Sequence, residues 1–347
     1  MTRESWIDRF KGILILLVVL GHAFGAGGNL ATGLNGDFLN RVRTIIYLFH
    51  MPAFFILVGF VTEDFIQNAN KSSWVLFVSK KINRLLVPYV ISAAFSVVVF
   101  AIIHGYPSWW QPIVSVVHAG GWPNGNGFKC NSVLWFLPVM FMVSCLWYCI
   151  RCLKIHGSMR ICVLIIMCLA LWFGRAVCYR YCVEYAPWGI IRILWYLPFV
   201  IFGYLMKGLV DRINPNVGVV VASMFFVVLY VVRSQIQCRL ACWTGFSFAI
   251  SSAISGTLAC IYFSRLKFWG NVPTVSISLE YCGSTSIWIM LIHKFPMVML
   301  QEHIPYIRRM FSESVVQSFV AIIFICFVSV VASILICRVW RFFYGRF

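Results

Sequence analysis

The chain has 347 residues, of which 61% are hydrophobic and 11% are charged, and its formal net charge is +18. A soluble domain of this length has about a quarter of its residues charged, so the composition excludes an ordinary soluble enzyme. Its Lys and Arg residues flank apolar runs, which indicates an orientation signal and attraction to anionic lipid headgroups rather than nucleic-acid binding. We predict an all-α polytopic membrane protein.

Apolar runs of about 20 residues, bounded by basic or Gly- and Pro-rich segments, predict ten transmembrane helices. They lie roughly at residues 7–25, 44–62, 85–104, 133–150, 161–179, 190–209, 217–232, 242–263, 279–300 and 314–337. Segments on the N-terminal side of the membrane carry more Lys and Arg than those on the other side, so both termini are predicted to be cytoplasmic. We expect one integral-membrane domain over residues 1–347, with no appended soluble domain.

The first apolar run carries three ionisable residues. Asp8 and Lys11 lie at its N-terminal end, and His22 lies deep within it. The spacing of eleven residues puts Lys11 and His22 on nearly the same helix face, about 16 Å apart along the axis. An ionisable residue inside the membrane marks a functional site by default, and we predict a functional His22. A structural histidine, or a cleaved signal peptide over this run, is the alternative.

Two further histidines lie inside predicted membrane helices, His50 in the second run and His293 in the ninth. Both lie at a depth similar to that of His22, so we expect the three imidazoles to line one cavity. The alternatives are structural. His50 precedes Pro52, and its ring would then bond a backbone carbonyl that the proline leaves free. His293 would instead form an interhelical hydrogen bond.

A basic stretch opens the third apolar run. It contains Lys81 and Arg84, which are three residues apart and therefore neighbours on a helix face. Together with Lys11 they are predicted to form an anion site where the helices meet the cytosol. The alternative is that they are ordinary positive-inside residues.

The predicted anion site lies at the cytosolic end of the helices, and the histidine cavity lies about 16 Å farther along the helix axis. This arrangement predicts a reaction in which the donor enters from the cytosol and the acceptor from the outer face. Coenzyme A has phosphates at one end of a long thin arm, and these phosphates would bind at the predicted anion site. Histidine is suited to take a proton near neutral pH, so that a sugar hydroxyl from the outer face attacks the thioester carbonyl. The fourteen cysteines show no zinc-finger spacing, and we predict no metal site.

Five motifs follow one another along the chain: Ile7-Asp8-Arg9-Phe10-Lys11-Gly12 with Gly21-His22, Phe49-His50-Met51-Pro52-Ala53-Phe54-Phe55 with Gly59-Phe60, Lys81-Ile82-Asn83-Arg84-Leu85-Leu86-Val87-Pro88-Tyr89, Leu134-Trp135-Phe136-Leu137-Pro138, and Ser286-Ile287-Trp288-Ile289-Met290-Leu291-Ile292-His293. In this order they resemble the membrane acyltransferase family 3, most closely its branch of sugar O-acetyltransferases with fucose 4-O-acetylase-like members. Each motif alone is weak, and their order over nearly the whole chain makes the resemblance specific.

The resemblance implies a ten-helix core that takes acyl groups from cytosolic acyl-CoA and passes them to extracytoplasmic or lipid-linked glycans. The family's Arg-x10-His pattern maps onto Lys11 and His22, and its Arg-x-x-Arg pattern maps onto Lys81 and Arg84. Each pattern has one Lys in place of Arg. Lys keeps the charge but not the bidentate fork, so a phosphate contact is retained and a carboxylate pairing is not implied.

We therefore predict an inner-membrane O-acetyltransferase that moves a short acyl group from acetyl-CoA to a sugar hydroxyl of a surface polysaccharide or lipid-linked glycan. Its partners are acyl-CoA, the glycan acceptor and membrane lipid, and not nucleic acid. His22 is the predicted general base, with a transient acyl carrier as the alternative. The site residues divide into catalytic His22 and Asp8, CoA-binding Lys11, Lys81 and Arg84, and acceptor-binding His50, His293 and Trp135, the last stacking on a sugar ring.

Two other functions remain open from the sequence. One is a proton-coupled transporter of a glycan or acyl metabolite, in which the histidines relay protons. The other is a subunit that only passes acyl groups to a partner transferase. Release of CoA by the purified protein distinguishes an enzyme from a transporter. Formation of the acylated glycan without a partner protein distinguishes a complete enzyme from a subunit that only relays acyl groups.

Overall fold

The computed structural model describes residues 4–31, 33–66, 73–104, 131–153, 157–180, 190–236 and 243–344. Its helices are α1 (Ser5–Leu30), α2 (Gly33–Tyr47), α3 (His50–Ile66), α4 (Ser73–Lys81), α5 (Val87–His104), α6 (Phe136–Cys152), α7 (Gly157–Arg180), α8 (Ile190–Arg212), α9 (Pro215–Ile236), α10 (Trp243–Ser264), α11 (Pro273–Ser284), α12 (Ser286–Ile292), α13 (Lys294–His303), α14 (Pro305–Glu313) and α15 (Val315–Tyr344). A π-helical turn, Ile82–Leu86, joins α4 to α5, and a 3-10 helix, Lys267–Asn271, precedes α11. The predicted all-α fold is confirmed.

Eight helical segments of the described chain are long and apolar enough to cross a membrane: Ser5–Leu30, Gly33–Val61, Trp74–Val99, Gly157–Cys178, Ile191–Arg212, Pro215–Gln235, Thr244–Ser264 and Val315–Val339. A ninth is formed by Pro273–Ser284 with Ser286–Gln301 if their 68° bend is counted within one span. The remaining predicted run corresponds to α6, which has 17 residues. The ten predicted runs thus each overlap a helix, but one is short and one is bent.

The bend between α11 and α12 has a local cause. The chain passes from Ser284 through Thr285 to Ser286, and Thr285 has φ −104° and ψ 9°, outside the helical region. Serine and threonine compete for backbone hydrogen bonds and are poor residues for a helix interior. The Thr285 hydroxyl donates to the Tyr281 carbonyl at 2.8 Å, which satisfies one acceptor at the end of α11.

The distribution of apolar side chains is that of a membrane protein. In the apolar windows of α7 and α9 only 11% of the residues are buried, and large side chains such as Met224 and Phe225 are more than half exposed. Polar side chains such as Ser252 and Thr257 on α10 are fully buried instead. Exposed apolar faces of this length are expected to contact lipid, which makes the protein a multi-pass membrane protein. The cytoplasmic orientation of the termini stays a prediction.

The described residues form two compact units. The first draws on Met1–Phe54, Ile213–Cys238 and Ser247–Arg346, and the second on Phe55–Arg212 and Arg239–Phe246. The single-domain organisation stays a prediction.

Helix α1 is the core of the first unit and packs against α2, α11 and α15. Its contact with α11 depends on glycine. A Cβ atom on Gly12 would overlap the Leu279 carbonyl oxygen, and one on Gly283 would overlap the Asp8 carbonyl oxygen. The backbones of α1 and α11 are therefore closer than side chains would allow.

A similar crossing holds the second unit together. A Cβ atom on Gly59 of α3 would overlap the Val200 carbonyl oxygen, and one on Gly203 of α8 would overlap the Ile56 carbonyl oxygen. Small residues at a helix contact let two backbones pack closely in a membrane. The large side chain of Trp147 on α6 is buried in the same unit.

Candidate active site

The three predicted histidines come together in the first unit. His22 lies on α1, His50 begins α3, and His293 separates α12 from α13. The ring centroids of His22 and His293 are 5.4 Å apart. Tyr47 joins the group, because its ring centroid is 5.9 Å from that of His22 and 4.9 Å from that of His50. These four residues are called the histidine cluster below.

Two glycines of α1 make room for α2 beside the cluster. A Cβ atom on Gly21 would lie 2.8 Å from Cε1 of Tyr47, and one on Gly25 would lie 3.0 Å from Cδ and Nε of Arg43. Residues four apart share a helix face, so Gly21 and Gly25 form one shallow surface. Gly21 lets the Tyr47 ring approach closely enough for its hydroxyl to hydrogen-bond to Nδ1 of His22 at 3.0 Å.

His50 and His293 are both anchored to the backbone. Nδ1 of His50 donates to the Ile46 carbonyl, and Nδ1 of His293 donates to the Ile289 carbonyl, each at 2.8 Å. A neutral imidazole that donates through Nδ1 carries its lone pair on Nε2. Among the described residues Nε2 of His293 is buried and has no hydrogen-bond partner. This nitrogen is available to accept a bond from a bound molecule.

The accessibility of the three rings differs. His50 is 4% exposed and His293 is 0% exposed, whereas His22 is only half-buried. The Tyr47 hydroxyl is hydrogen-bonded to Nδ1 of His22, so Nε2 is the ring nitrogen that can contact a substrate. Of the three imidazoles, His22 is therefore the one that a reacting group can reach with the least displacement of protein.

Two cations lie beside the cluster. The guanidinium carbon of Arg43 is 4.9 Å from the Tyr47 ring centroid. Lys294 directly follows His293, and both Lys294 and Arg43 are close enough to His22 to interact with its charge. Positive groups in a site that excludes water stabilise negative charge that develops on a reacting oxygen. The cluster thus combines a base candidate with candidate oxyanion stabilisers.

Asp8 and Lys11 lie together at the N-terminal end of α1. Nζ of Lys11 is 3.5 Å from Oδ1 of Asp8, and both side chains are mostly buried. Asp8 is 14 residues from His22, or about 21 Å along the helix axis, and does not touch that ring. The structure therefore gives Asp8 a contact with Lys11, and its membership of the catalytic set stays a prediction.

Lys81 and Arg84 belong to the second unit. Nζ of Lys81 donates to Oγ of Ser144 at 3.4 Å, and Arg84 is exposed and close enough to Lys81 to interact with its charge. Arg84 lies in the π-helical turn rather than in a regular α-helix, and the Val87 N–H bonds the Ile82 carbonyl. Pro88 explains this turn, because it has no N–H to donate to the carbonyl of Arg84.

Trp135, also in the second unit, immediately precedes α6 and is half-buried. Its ring stacks with Tyr196 at 5.6 Å between centroids, and the guanidinium carbon of Arg192 lies 4.3 Å from its centroid. These neighbours give Trp135 a packing role in the second unit. Its predicted stacking on a sugar stays a prediction.

A family model matches nearly the whole sequence. The acyltransferase family 3 model, which describes an acyltransferase domain, matches residues 4–338. The chain belongs to acyltransferase family 3. The search of curated proteins and the search of solved structures found no match.

Family membership makes this protein a multi-pass membrane acyltransferase. The histidine cluster of this acyltransferase lies on helices within the matched residues. Histidine is a side chain that can act as a general base. Among the described residues, no group of three or more His, Cys, Asp or Glu side chains has an arrangement that could hold a metal ion.

Sequence reasoning missed three functional candidates of the acyltransferase. Arg43 and Tyr47 lie on α2, where Arg43 directly precedes the predicted second run and Tyr47 lies within it. Neither they nor Lys294 had an assigned role in the site. The signal for Tyr47 is its place three residues before His50, which indicates a shared helix face. The signal for Lys294 is a charge in the middle of an apolar run.

Proposed function

We propose that the protein is an inner-membrane O-acetyltransferase. It moves an acetyl group, or another short acyl group, from cytosolic acetyl-CoA to a sugar hydroxyl of a surface polysaccharide or lipid-linked glycan. The observation that carries the proposal is the half-buried His22, hydrogen-bonded through Nδ1 to Tyr47 and beside two cations, in a chain of acyltransferase family 3.

His22 acts as the general base in this proposal. When Nδ1 donates to the Tyr47 oxygen, Nε2 carries the lone pair and takes the proton from the sugar hydroxyl. The sugar oxygen bonds to the acetyl carbonyl carbon and forms a tetrahedral oxyanion. The C–S bond then breaks, and the CoA thiolate leaves with the proton that His22 returns. The products are the acetylated sugar and CoA.

The cations beside His22 fit the charge that this reaction develops. The negative charge moves from the attacking oxygen to the carbonyl oxygen and then to sulfur. Arg43 and Lys294, which are close enough to His22 to interact with its charge, would stabilise the second of these charges. His50 and His293 are held in position by their backbone bonds. In the neutral form of each ring, Nε2 would accept a hydrogen bond from a sugar hydroxyl.

The donor contacts are those proposed from the sequence. Lys11, Lys81 and Arg84 would contact CoA phosphates, and Asp8 would keep the Lys11 ammonium in place. The thin arm that links the CoA phosphates to the thioester would span the distance between Lys11 and His22, which is about 16 Å along the helix axis. Lys11 and Lys81 are both mostly shielded from solvent, which strengthens their attraction to phosphate.

The test is release of free thiol from acetyl-CoA by purified protein in lipid vesicles with a crude glycan-lipid extract. The variants are His22→Gln and the matched control His303→Gln, whose ring is exposed on α13. Loss of a general base should lower the rate about 10²- to 10⁴-fold for His22→Gln, with CoA binding retained. His303→Gln should match the wild type.

Equal release by His22→Gln and wild type would remove His22 from the mechanism. Failure of the wild type to bind CoA would remove acetyl-CoA as donor. Thiol release with no acetyl ester on the glycan fraction would remove the sugar acceptor from the proposal. Mass spectrometry of the glycan fraction measures that ester directly.

A further inference from the structure

Two arginines of the second unit, to which the proposed function gives no role, meet at one tyrosine. Arg151 lies at the C-terminal end of α6, Arg160 in the first turn of α7, and Tyr204 on α8. The guanidinium carbons of Arg151 and Arg160 lie 4.2 Å and 5.6 Å from the centroid of the Tyr204 ring. Two positive charges from different helices are thus held at a single aromatic ring. These three residues are called the arginine cluster below.

The head of Arg151 is turned into the protein. Its Nε and Nη1 are buried and have no hydrogen-bond partner among the described residues. An arginine that only anchors a helix end extends its charged head into water. Arg151 lies against Tyr204 instead, and its guanidinium carbon is 5.9 Å from the centroid of the Trp147 ring. A buried charged donor without an acceptor costs free energy, so these two N–H groups indicate a bound acceptor.

Trp147 adds another donor beside Arg151. It precedes Arg151 by four residues, so both lie on one face of α6. Its side chain is 1% exposed, and in the described part of the chain its Nε1 also has no hydrogen-bond partner. The centroids of the Trp147 and Tyr204 rings are 5.4 Å apart, which supports the aromatic wall from below. The unsatisfied groups of α6 at this point are all donors, and an anion with several oxygen atoms is the ligand that accepts from such a set.

Arg160 is fixed beside Arg151 by one hydrogen bond. Its Nη2 donates to the Arg151 carbonyl at 3.5 Å. A guanidinium has five N–H donors in a rigid fork, so this bond leaves others for a ligand. Within the described ranges, neither guanidinium forms an ion pair with a carboxylate. Charges of one sign gathered in this way concentrate ions of the opposite sign.

The surroundings of the cluster favour the phosphate of a lipid. Arginine binds phosphate through two parallel hydrogen bonds. Met159 and Ile161, on either side of Arg160, are more than half exposed, and only 11% of the apolar window of α7 is buried. The cluster therefore lies where the apolar surface of α7 begins, which is the level of lipid headgroups. Basic pockets between membrane helices are sites where anionic headgroups bind.

The cluster is separate from the anion site predicted at Lys81 and Arg84. Nζ of Lys81 donates to Oγ of Ser144 on α6, and Ser144 precedes Arg151 by seven residues. Seven residues are nearly two helical turns, so the two positions share a face of α6 about 10 Å apart along its axis. A CoA molecule with phosphates at Lys81 would bring phosphate chemistry to the same face of the helix.

We propose that Arg151 and Arg160 bind the phosphate of an anionic phospholipid, whose acyl chains lie along the exposed apolar face of α7. The phosphate accepts hydrogen bonds from the buried Nε and Nη1 of Arg151 and from the guanidinium of Arg160. The phosphates of the acyl-CoA donor are a second source of the same chemistry. The CoA source rests on the proposed function, and the lipid source does not.

The experiment compares wild type with the double variant Arg151→Gln/Arg160→Gln. Arg212→Gln is the matched control, because Arg212 is an exposed cation at the end of α8, the helix that carries Tyr204. Retention of phosphatidylglycerol against phosphatidylcholine is measured by native mass spectrometry, together with the rise in thermal midpoint that phosphatidylglycerol causes. Binding of CoA and of 3′-dephospho-CoA is measured by calorimetry in phosphatidylcholine nanodiscs.

With lipid in the site, the double variant binds phosphatidylglycerol about 10- to 100-fold more weakly, loses the rise in thermal midpoint and keeps its CoA affinity. Arg212→Gln matches the wild type. Arg160→Gln alone leaves the packing of Arg151 on Tyr204 in place and shows a smaller loss of the same kind. This single variant decides the matter if the double variant does not fold.

A double variant that keeps phosphatidylglycerol but binds CoA about 10- to 100-fold more weakly, with no preference over 3′-dephospho-CoA, assigns the site to the donor and overturns the lipid source. Equal behaviour of the double variant, Arg212→Gln and wild type with both probes overturns the phosphate site itself. A wild type that binds no CoA contradicts the proposed donor, and the phosphatidylglycerol measurement still decides the arginine cluster.

Discussion

The hydrogen bond between Tyr47 and His22 is the contact on which the proposed base depends most directly, and Tyr47→Phe removes it together with the contact between the Tyr47 hydroxyl and Arg43. Phenylalanine keeps the ring that packs on Gly21 and beside Arg43. The variant loses only the hydroxyl that lies 3.0 Å from Nδ1 of His22. In the variant, no Tyr47 hydroxyl holds the His22 ring in the reactive orientation or stabilises the positive charge that the ring gains when it takes a proton.

The expected loss follows from the strength of one hydrogen bond. A net contribution of about 0.5–1.5 kcal/mol corresponds to a fall in kcat of about 2- to 12-fold. Loss of His22 itself should cost far more, about 10²- to 10⁴-fold. Tyr47 acts through His22 and does not touch CoA in the proposed mechanism, so KM for acetyl-CoA should stay unchanged. It is a positioning residue.

The assay is steady-state thiol release with acetyl-CoA varied at saturating glycan-lipid extract, which separates kcat from KM. Tyr306→Phe is the matched control, because this tyrosine is 71% exposed on α14. A wild-type kcat for Tyr47→Phe would refute the positioning role. A rise in the KM for acetyl-CoA with an unchanged kcat would mean that Tyr47 contributes to donor binding instead.

Two predictions concern stability. Gly203→Ala should lower the thermal midpoint in detergent, since overpacking costs about 1–3 kcal/mol where its Cβ meets the Ile56 backbone, whereas Gly208→Ala on the same helix has open space and should not. Glu280→Gln should cost about 1.5–3 kcal/mol because it weakens the 2.7 Å pair with Arg9, measured by denaturant titration. Glu313→Gln, in an exposed pair at 3.7 Å, should change stability little, and equal effects of the two would contradict this reasoning.

Hydropathy and charge predict much of this fold because the bilayer demands long apolar helices. Every predicted run overlaps a helix of the structure. The depths of His22, His50 and His293 follow from counting along those runs, which is why their proximity could be expected. The bend at Thr285 was not predicted, because the apolar residues on both sides of Gly283-Ser284-Thr285-Ser286 were counted as one run.

The missed residues have a physical explanation. Helix α2 mixes apolar residues with polar and charged ones, so most of it does not form an apolar run and Arg43 was not expected in the site. The pair between Arg9 and Glu280 joins residues 271 apart in sequence. Local periodicity in one sequence carries no information about such a contact.

The composition of the first unit has a consequence for biosynthesis. Its core helix, α1, leaves the ribosome well before α11 and α15, against which it packs. Contacts between distant parts of a chain form slowly, and early segments wait with their partner faces unfilled. The nearly continuous second unit can assemble while synthesis continues. The glycine face of α1 that packs closely on α11 therefore stays open to lipid or to the insertion machinery until α11 enters the bilayer.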